Sequence, residues 1–211
     1  MNKIKDCKFC KIQHGQYMFD EIDIPIAENN SYLAVASIGA LVEGWTLIIP
    51  KEHILSLKEK YNKLDFIEFI NLVKLRISSK YGKVIIFEHG ANNEGSITSC
   101  GTDHAHLHIV PFQDSLLPQM MNDKFEWMQS FSSDIMNISN NSEYLFYVES
   151  SINENWIDPQ GYLHILQNPI SQYFRKLIAN KIGLPDKSDY KFFLYKENAL
   201  LTKRKLSTQV K

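Results

Sequence analysis

Short apolar runs bounded by turn residues predict a series of β-strands in the first half of the chain. These strands cover residues 24–28, 31–36, 45–50, 83–88 and 104–110. Between the third and fourth strands, apolar residues recur at helical spacing and predict one long helix over residues 62–80. The recurring residues are Phe66, Ile70, Val73 and Ile77. We expect this helix to cover one face of a sheet.

After residue 112 the pattern predicts a helix, a β-hairpin and a second helix. The first helix is expected over residues 116–136, the hairpin strands over 144–149 and 162–166, and the second helix over 168–183. Asn168 suits the N-cap position of the second helix, and Gly183 suits the position after its last turn. We therefore expect an α+β fold with a C-terminal α+β extension over residues 113–211, whose last residues, 206–211, are loosely held.

Composition and charge limit the kinds of binding partner and the cell compartment that we expect for this protein. The chain has 211 residues and a formal net charge of -1, which gives no electrostatic reason to expect a nucleic-acid or membrane partner. Residues 1–6 lack the apolar run of a signal peptide, and no apolar stretch is long enough to span a bilayer. Three cysteines, two of them spaced as Cys7-x-x-Cys10, indicate a metal or redox pair rather than a disulfide framework. We therefore expect a cytoplasmic protein.

Three histidines alternate with apolar residues in the fifth predicted strand. Side chains at positions i, i+2 and i+4 of a strand share one face, so His104, His106 and His108 would form a row of imidazoles. The residues between them, Ala105 and Leu107, would face the core. Histidine changes its charge near neutral pH and is the commonest metal ligand. The row therefore indicates either metal binding or proton and phosphoryl chemistry.

Other candidate residues lie outside this strand. The Cys7-x-x-Cys10 spacing is half of many tetrahedral zinc sites and needs two further ligands, which histidines elsewhere in the chain offer. His53 follows the third strand, at the start of a helical stretch, where a lone histidine is more often structural. The loop over residues 91–102 contains glycines and hydroxyl groups that can hold phosphate oxygens, although an ordinary hairpin connection has the same composition.

Four further residues receive no chemical role from the sequence. We interpret His89, at the end of the fourth strand, as structural. Cys100 is interpreted as a small filler near the site. Arg175 and Lys176 are interpreted as part of a solvated helix face.

Together these motifs resemble the histidine triad (HIT) family of nucleotidyl hydrolases and transferases. Residues 104–110 match the family signature His-x-His-x-His-x-x, in which x is hydrophobic. Asn93-Glu-Gly-Ser and Pro50-Lys-Glu-His53 are similar to two further family motifs. Cys7-x-x-Cys10 is similar to the zinc-bearing branch of the family. The resemblance covers about residues 5–112, so the extension lies outside it.

The resemblance implies a fold, an activity and a small-molecule partner. The fold is an antiparallel sheet of about five strands packed with a long helix in residues 1–112, often paired into a homodimer. The activity is attack by His106 on the α-phosphorus of a nucleotide, through a nucleotidyl-histidine intermediate. His108 would hold a phosphate oxygen. The substrate would be a dinucleoside polyphosphate, a nucleoside phosphoramidate or a nucleotide sugar.

The resemblance also implies roles for polar residues around the histidines. Charge that develops on the phosphorus oxygens would be stabilised by Asn93, Ser99, Gly101 and Thr102. Ser37 stands where many family members carry an acidic residue that contacts the ribose hydroxyls. In this chain Ser37 would bond one of those hydroxyls.

The zinc-bearing branch places four side chains around one structural Zn²⁺: Cys7, Cys10, His53 and His104. Such a set is closed, because all four tetrahedral positions are taken and none is left for water. His104 counts among the catalytic histidines by the signature, but as a zinc ligand it cannot serve as the acid for the leaving group.

Three hypotheses follow. In the first, the chain is an enzyme that transfers a nucleotidyl group to water, to phosphate or to a sugar phosphate. In the second, it is a non-catalytic, zinc-stabilised nucleotide-binding or sensor module. In the third, all three histidines of the row bind a catalytic metal, which is less favoured because no acidic ligand alternates with them.

Overall fold

Eight antiparallel strands form one continuous sheet in the computed structural model of the protein, which describes residues 6–207. The strands are β1 (Ala27–Glu28), β2 (Tyr32–Ala36), β3 (Thr46–Pro50), β4 (Val84–Gly90), β5 (Leu107–Pro111), β6 (Met128–Phe131), β7 (Glu143–Ser150) and β8 (Gln160–Leu166). Their spatial order is β1-β2-β3-β5-β4-β7-β8-β6. The first five strands therefore lie side by side, as predicted for residues 1–112.

Five α-helices lie in the described part of the chain. They are α1 (Lys8–Gln13), α2 (Leu64–Tyr81), α3 (Leu117–Met121), α4 (Tyr173–Lys181) and α5 (Lys196–Ser207). Helix α2 is the long helix that the apolar spacing predicts. A search of the described helices finds none with the length and hydropathy needed to cross a bilayer. The α+β prediction is confirmed.

The C-terminal extension continues the sheet of the first five strands. Strand β7 pairs along the whole of β4, from Val84 opposite Ser150 to Gly90 opposite Tyr144. Strands β7 and β8 form the expected hairpin. The division of the chain at residue 112 into two domains stays a prediction, as does the homodimer.

Helix α2 covers one face of the sheet. Its residues Phe66, Ile70 and Val73 are buried in one apolar cluster with Ile86 of β4 and Ile109 of β5. Burial of large side chains of this kind stabilises the fold by about 1.5–3 kcal/mol each. The amphipathic spacing that predicts the helix therefore also identifies its packing face.

The opposite face of the sheet carries His108. In the antiparallel register, His108 of β5 lies opposite Leu47 of β3 and Phe87 of β4, so the three side chains share a face. Leu47 and Phe87 belong to a second apolar cluster, which also contains Phe9 of α1 and Phe174 of α4. Helices α1 and α4 therefore cover the histidine side; α1 lies near the N-terminus and α4 lies in the C-terminal extension.

The long helix predicted over residues 116–136 is wrong. Helix α3 ends at Met121, and Met128–Phe131 is the edge strand β6, paired with β8. Between them the Asp123 carboxylate accepts the backbone N–H of Phe125 at 2.8 Å. Such local hydrogen bonds from an aspartate side chain compete with the backbone hydrogen bonds of a helix. The residues that follow then pair with β8 as a strand.

The helix predicted from Asn168 begins later than expected, at Tyr173. The backbone N–H of Ile170 donates to Thr98 Oγ1, and that of Gln172 donates to Cys100 Sγ. Gln172 adopts the left-handed conformation, with φ of 57°. The segment before α4 is therefore held by the loop that precedes β5, which the local pattern cannot reveal.

The predictions for the chain ends are tested only in part. Leu206, expected to be loosely held, is buried in α5. Residues 208–211 and 1–5 lie outside the described residues, so the expectations for those positions are not addressed.

A buried carboxylate connects the sheet to the loop before α2. Glu88 of β4 accepts hydrogen bonds from the Leu57 backbone N–H at 2.7 Å and from the Tyr61 and Tyr144 hydroxyls at 2.7 and 2.6 Å. Burial raises the pKa of Glu88 to about 7, although all three hydrogen bonds favour the charged form. The folded state therefore binds the Glu88 proton more tightly than the unfolded state does.

This difference predicts a pH dependence of stability. Because the folded pKa lies above the unfolded value, the contribution of Glu88 is fully present below pH about 4.5 and is lost as the pH rises through about 7. The free energy of unfolding of the wild type should fall between pH 5 and 8, relative to that of Glu88→Gln, by at least about 1 kcal/mol. Urea unfolding at four pH values measures both curves.

The control variant is Glu68→Gln, which removes an exposed carboxylate from α2. Its curve should run parallel to that of the wild type. Parallel curves for Glu88→Gln and the wild type would show that Glu88 has the same proton affinity in both states.

Candidate active site and metal cluster

A cavity of about 310 Å³ opens on the face of the sheet that carries His108. Two of the three alternating histidines, His106 and His108, line it. The cavity is also lined by side chains of the C-terminal extension, among them Gln172, Arg175 and Tyr190. Both parts of the chain therefore build this site.

The ring orientation of His106 is fixed by the backbone. Its Nδ1 lies 2.9 Å from the carbonyl oxygen of His104. A carbonyl only accepts, so Nδ1 carries the proton and donates it. In the neutral ring the lone pair then resides on Nε2. The ring also makes an edge contact with Phe9 of α1, at 5.3 Å between ring centroids.

His108 holds the opposite tautomer. The indole N–H of Trp45 donates to His108 Nδ1 at 3.0 Å. Indole nitrogen is only a donor, so neutral His108 carries its proton on Nε2. The ring stacks on Phe87 with 4.5 Å between centroids. The cavity therefore contains one imidazole with a lone pair on Nε2 and a neighbour, 4.8 Å away between ring centroids, with an N–H at the same position.

Both rings are neutral near pH 7. Burial is the largest influence on each: it lowers the pKa of His106 and brings the pKa of His108 well below its usual value. The proximity of His106 and of Arg175 lowers the pKa of His108 further. The tautomers assigned from hydrogen bonding are therefore those of the neutral rings.

Four side chains form a cluster with the composition of a metal site: Cys7, Cys10, His53 and His104. Their ligand atoms all lie within 4.8 Å of one another. His104 Nδ1 is 3.3 Å from Cys7 Sγ and 3.6 Å from Cys10 Sγ. His53 Nδ1 is 3.4 Å from Cys10 Sγ. These residues could hold a metal ion together.

The distances fit a tetrahedral ion. With Zn–S near 2.3 Å and Zn–N near 2.0 Å, tetrahedral geometry places neighbouring sulfur and nitrogen ligands about 3.5 Å apart. His104 Nε2 also lies 2.8 Å from the carbonyl oxygen of Pro50 and donates to it. This bond leaves the lone pair on Nδ1, the nitrogen that faces the thiols. A carbonyl that holds the outer nitrogen is the usual arrangement of a histidine metal ligand.

The backbone around the first histidines differs from the predicted strand. Strand β5 begins at Leu107, because the N–H of Ala105 donates to Ile54 and the N–H of His104 donates to Thr102. Ala105 and Leu107 still face the core as predicted, since both are buried in the apolar cluster that contains Phe66, Ile70 and Val73 of α2. His53 lies in a loop well before α2 rather than at the start of a helix, which corrects the expectation.

The polar residues expected around the histidines divide into two groups. Ser37, Ser99, Gly101 and Thr102 line the cavity. Asn93 does not line it: it is exposed, and its Nδ2 donates to Asn92 Oδ1 at 2.6 Å. The hydroxyl of Ser37 donates to the Ile38 carbonyl at 3.2 Å. Their roles toward a substrate stay predictions.

Sequence reasoning missed several residues of this site. His89 follows Phe87 at the next-but-one position of β4, so strand alternation already places it on the face of His108. Arg175 was expected on a solvated helix face, but it is buried, with 5% of its surface exposed. No local signal could identify Arg175, because its burial depends on a contact with Gly39, far away in the chain.

No family model matches the chain, but several individual proteins do. An uncharacterized HIT-like protein of Mycoplasma genitalium is 31% identical over 113 residues, which are 52% of this chain and 75% of that protein. The protein Hit of Bacillus subtilis is 32% identical over 114 residues, 53% of this chain and 74% of that protein. The adenosine 5'-monophosphoramidase of Schizosaccharomyces pombe is 32% identical over 110 residues, 50% of this chain and 73% of that protein.

Each of these matches covers about three quarters of the relative and half of this chain. On this identity over most of each relative, the chain belongs to the histidine triad (HIT) family.

Proposed function

We propose that this protein is a nucleotidyl hydrolase or transferase in which His106 Nε2 attacks the α-phosphorus of a nucleotide. The observation that carries the proposal is the hydrogen bond from His106 Nδ1 to the His104 carbonyl. This bond fixes a tautomer with a lone pair on Nε2, inside a cavity large enough for a small ligand. Nucleophilic imidazoles need such a fixed acceptor at their other nitrogen.

The reaction has two steps. In the first, the bond from His106 Nε2 to phosphorus forms, and the bond from phosphorus to the leaving group breaks with its electron pair on the leaving group. In the second, water or another acceptor attacks the same phosphorus, the bond to Nε2 breaks, and the acceptor loses a proton to solvent. The first product is the leaving group. The second is a nucleoside monophosphate when water is the acceptor, or its anhydride when a phosphate group is the acceptor.

His108 and the loop before β5 stabilise the phosphorus oxygens in this proposal. Neutral His108 has its N–H on Nε2, which donates to a phosphate oxygen without taking a proton. Gly101 adopts a positive φ of 81°. A backbone of this shape lets amide N–H groups turn toward an anion. Thr102, next to Gly101, offers a hydroxyl donor, whereas the Ser99 hydroxyl already donates to the Ser96 carbonyl at 2.7 Å and would have to rotate to reach a phosphate.

We also propose that Cys7, Cys10, His53 and His104 bind a structural Zn²⁺. When bound, the ion would supply a rigid cross-link between α1, the loop after β3 and the approach to β5. His104 would then be fixed through its ring, and its carbonyl would hold His106. The support is the donor set and its spacing, which match those of closed tetrahedral sites.

The substrate class is supported by one relative. The match from Schizosaccharomyces pombe is named an adenosine 5'-monophosphoramidase. We therefore propose that this chain acts on a nucleoside phosphoramidate or on a related nucleotide, such as a dinucleoside polyphosphate or a nucleotide sugar.

Replacement of the nucleophile should abolish turnover. We expect His106→Gly to lower the rate of nucleoside monophosphate release by at least about a thousandfold, because the variant lacks the imidazole that forms the proposed intermediate. The measurement is product detection by mass, with adenosine and guanosine phosphoramidates, dinucleoside polyphosphates and nucleotide sugars as substrates.

The matched control is His14→Ala, which removes an exposed histidine at the end of α1. It should leave turnover unchanged. A His106→Gly protein that folds and retains the wild-type rate would rule out the covalent mechanism. If the wild type binds nucleotides without any product after long incubation, the sensor hypothesis replaces the enzyme.

The metal proposal predicts about one zinc per chain in purified protein. We expect Cys7→Ser to lose most of this zinc, because three remaining ligands leave an incomplete tetrahedron. Stability should fall as well, since an ion present at a hundredfold excess over its Kd contributes roughly 3 kcal/mol. Elemental analysis and thermal unfolding measure the two effects.

Cys100→Ser is the control, because Cys100 lines the cavity and lies outside the cluster. Its zinc content should equal that of the wild type. A metal-free wild-type protein with an unchanged melting temperature would exclude the structural ion.

A further inference from the structure

A buried cation lies at the cavity without an acidic partner. Arg175 is 5% exposed, and within residues 6–207 no carboxylate lies at ion-pair distance from its guanidinium. Burial lowers its pKa to about 10, so the group still carries its charge at neutral pH. A buried charge that lacks a counter-ion costs several kcal/mol unless a ligand supplies one.

The contacts of Arg175 fix its position beside the histidines. Nε donates to the Ser188 carbonyl, and one terminal nitrogen donates to the Gly39 carbonyl. The guanidinium carbon lies 5.3 Å from the Trp45 ring, the same ring that donates to His108. Guanidinium has five N–H donors, so two backbone bonds leave others for a ligand.

His89 supplies a second, independent observation. Its side chain is 9% exposed, and neither Nδ1 nor Nε2 has a hydrogen-bond partner. Buried polar atoms are almost always paired, so two orphaned nitrogens on one ring require an explanation. His89 lines the cavity, and its ring centroid lies 6.0 Å from that of His108.

Positive side chains line the cavity, but carboxylates do not. Among the described residues no aspartate or glutamate lines it, whereas Lys8 and Arg175 both do. Lys8 has a counter-ion in Asp23, 3.7 Å away, so the unpaired charge is that of Arg175. Asp189 is close enough to influence Arg175, but its Oδ1 accepts from Gln172 Nε2 at 3.1 Å and from the Lys191 N–H at 2.9 Å. The cavity therefore favours a ligand that carries a second negatively charged group in addition to the phosphate at His106 and His108.

We propose that Arg175 and His89 form an anion subsite next to His108, and that this subsite binds a phosphate in the departing half of the substrate. The substrate class is then a nucleotide whose α-phosphorus is joined to a second phosphate, as in a dinucleoside polyphosphate or a nucleotide sugar. This inference rests on the proposed function.

The chemistry of the first step gives the subsite its purpose. When Nε2 of His106 bonds to the α-phosphorus, the bridging P–O bond breaks and its electron pair remains on the departing phosphate. That group gains negative charge in the transition state, and a fixed cation stabilises it. The departing group of a phosphoramidate is an amine, which takes a proton from solvent and gains nothing from Arg175.

The test compares nucleoside monophosphates with the matching diphosphates. Binding is measured by calorimetry in the full-length His106→Gly background, which prevents turnover, with adenosine, guanosine, uridine and cytidine pairs. We expect the preferred diphosphate to bind at least about tenfold more tightly than its monophosphate, the effect of one charge-assisted hydrogen bond. Arg175→Gln should abolish this preference and leave monophosphate binding within about threefold of its former value.

Three variants separate the subsite from a purely structural role. Arg175→Lys should retain part of the diphosphate preference, because it keeps the charge. Lys181→Gln, which removes an exposed cation from the same helix, should retain all of it. His89→Phe should weaken diphosphate binding alone.

Each outcome bears on the proposal. Equal affinity for monophosphate and diphosphate in the His106→Gly background would refute the subsite and leave the proposed function intact. Equal losses of both ligands in Arg175→Gln, with an unchanged melting temperature, would assign Arg175 to general cavity structure and refute it too. If no nucleotide binds, both the subsite and the proposed function fail.

Discussion

The hydrogen bond between His106 Nδ1 and the His104 carbonyl is the constraint on which the site depends. It joins the candidate nucleophile to a residue whose ring is held twice, by the Pro50 carbonyl at Nε2 and by the two thiols near Nδ1. Any motion of the cluster that His104 forms with Cys7, Cys10 and His53 would therefore displace the His104 carbonyl and rotate the His106 ring. The cluster and the cavity are adjacent parts of one chain segment, coupled through a single peptide group.

The register of the sheet fixes the orientation of His108, the next histidine of the row. His108 is the one histidine of the row that lies within β5, opposite Leu47 and Phe87. Antiparallel pairing fixes its direction, and Trp45, next to β3, fixes its tautomer. The two cavity imidazoles thus take opposite tautomers for different reasons, one from a backbone acceptor and the other from a side-chain donor.

Periodicity could predict the parts of this site that depend on neighbouring residues in the chain. Alternation alone assigns Ala105 and Leu107 to the core and the histidines to the other side, and helical spacing identifies α2. Periodicity cannot predict the conformation of a segment that depends on contacts with distant parts of the chain. The start of α4 depends on hydrogen bonds to Thr98 and Cys100, and the burial of Arg175 depends on Gly39. Such bonds leave no trace in a window of ten or fifteen residues.

The contact between Arg175 and Gly39 also affects the electrostatics of the cavity, because it holds a positive charge there. Burial keeps the imidazoles neutral, so the fixed charge comes from Lys8 and Arg175 rather than from the histidine row. Ser37 is neutral at a position where the family resemblance leads us to expect an acid. A carboxylate there would line the same cavity as Arg175, and its negative charge would oppose the binding of a phosphate. The neutral residue at position 37 and the buried cation from the extension therefore act in the same direction, because each makes this cavity more favourable for an anion.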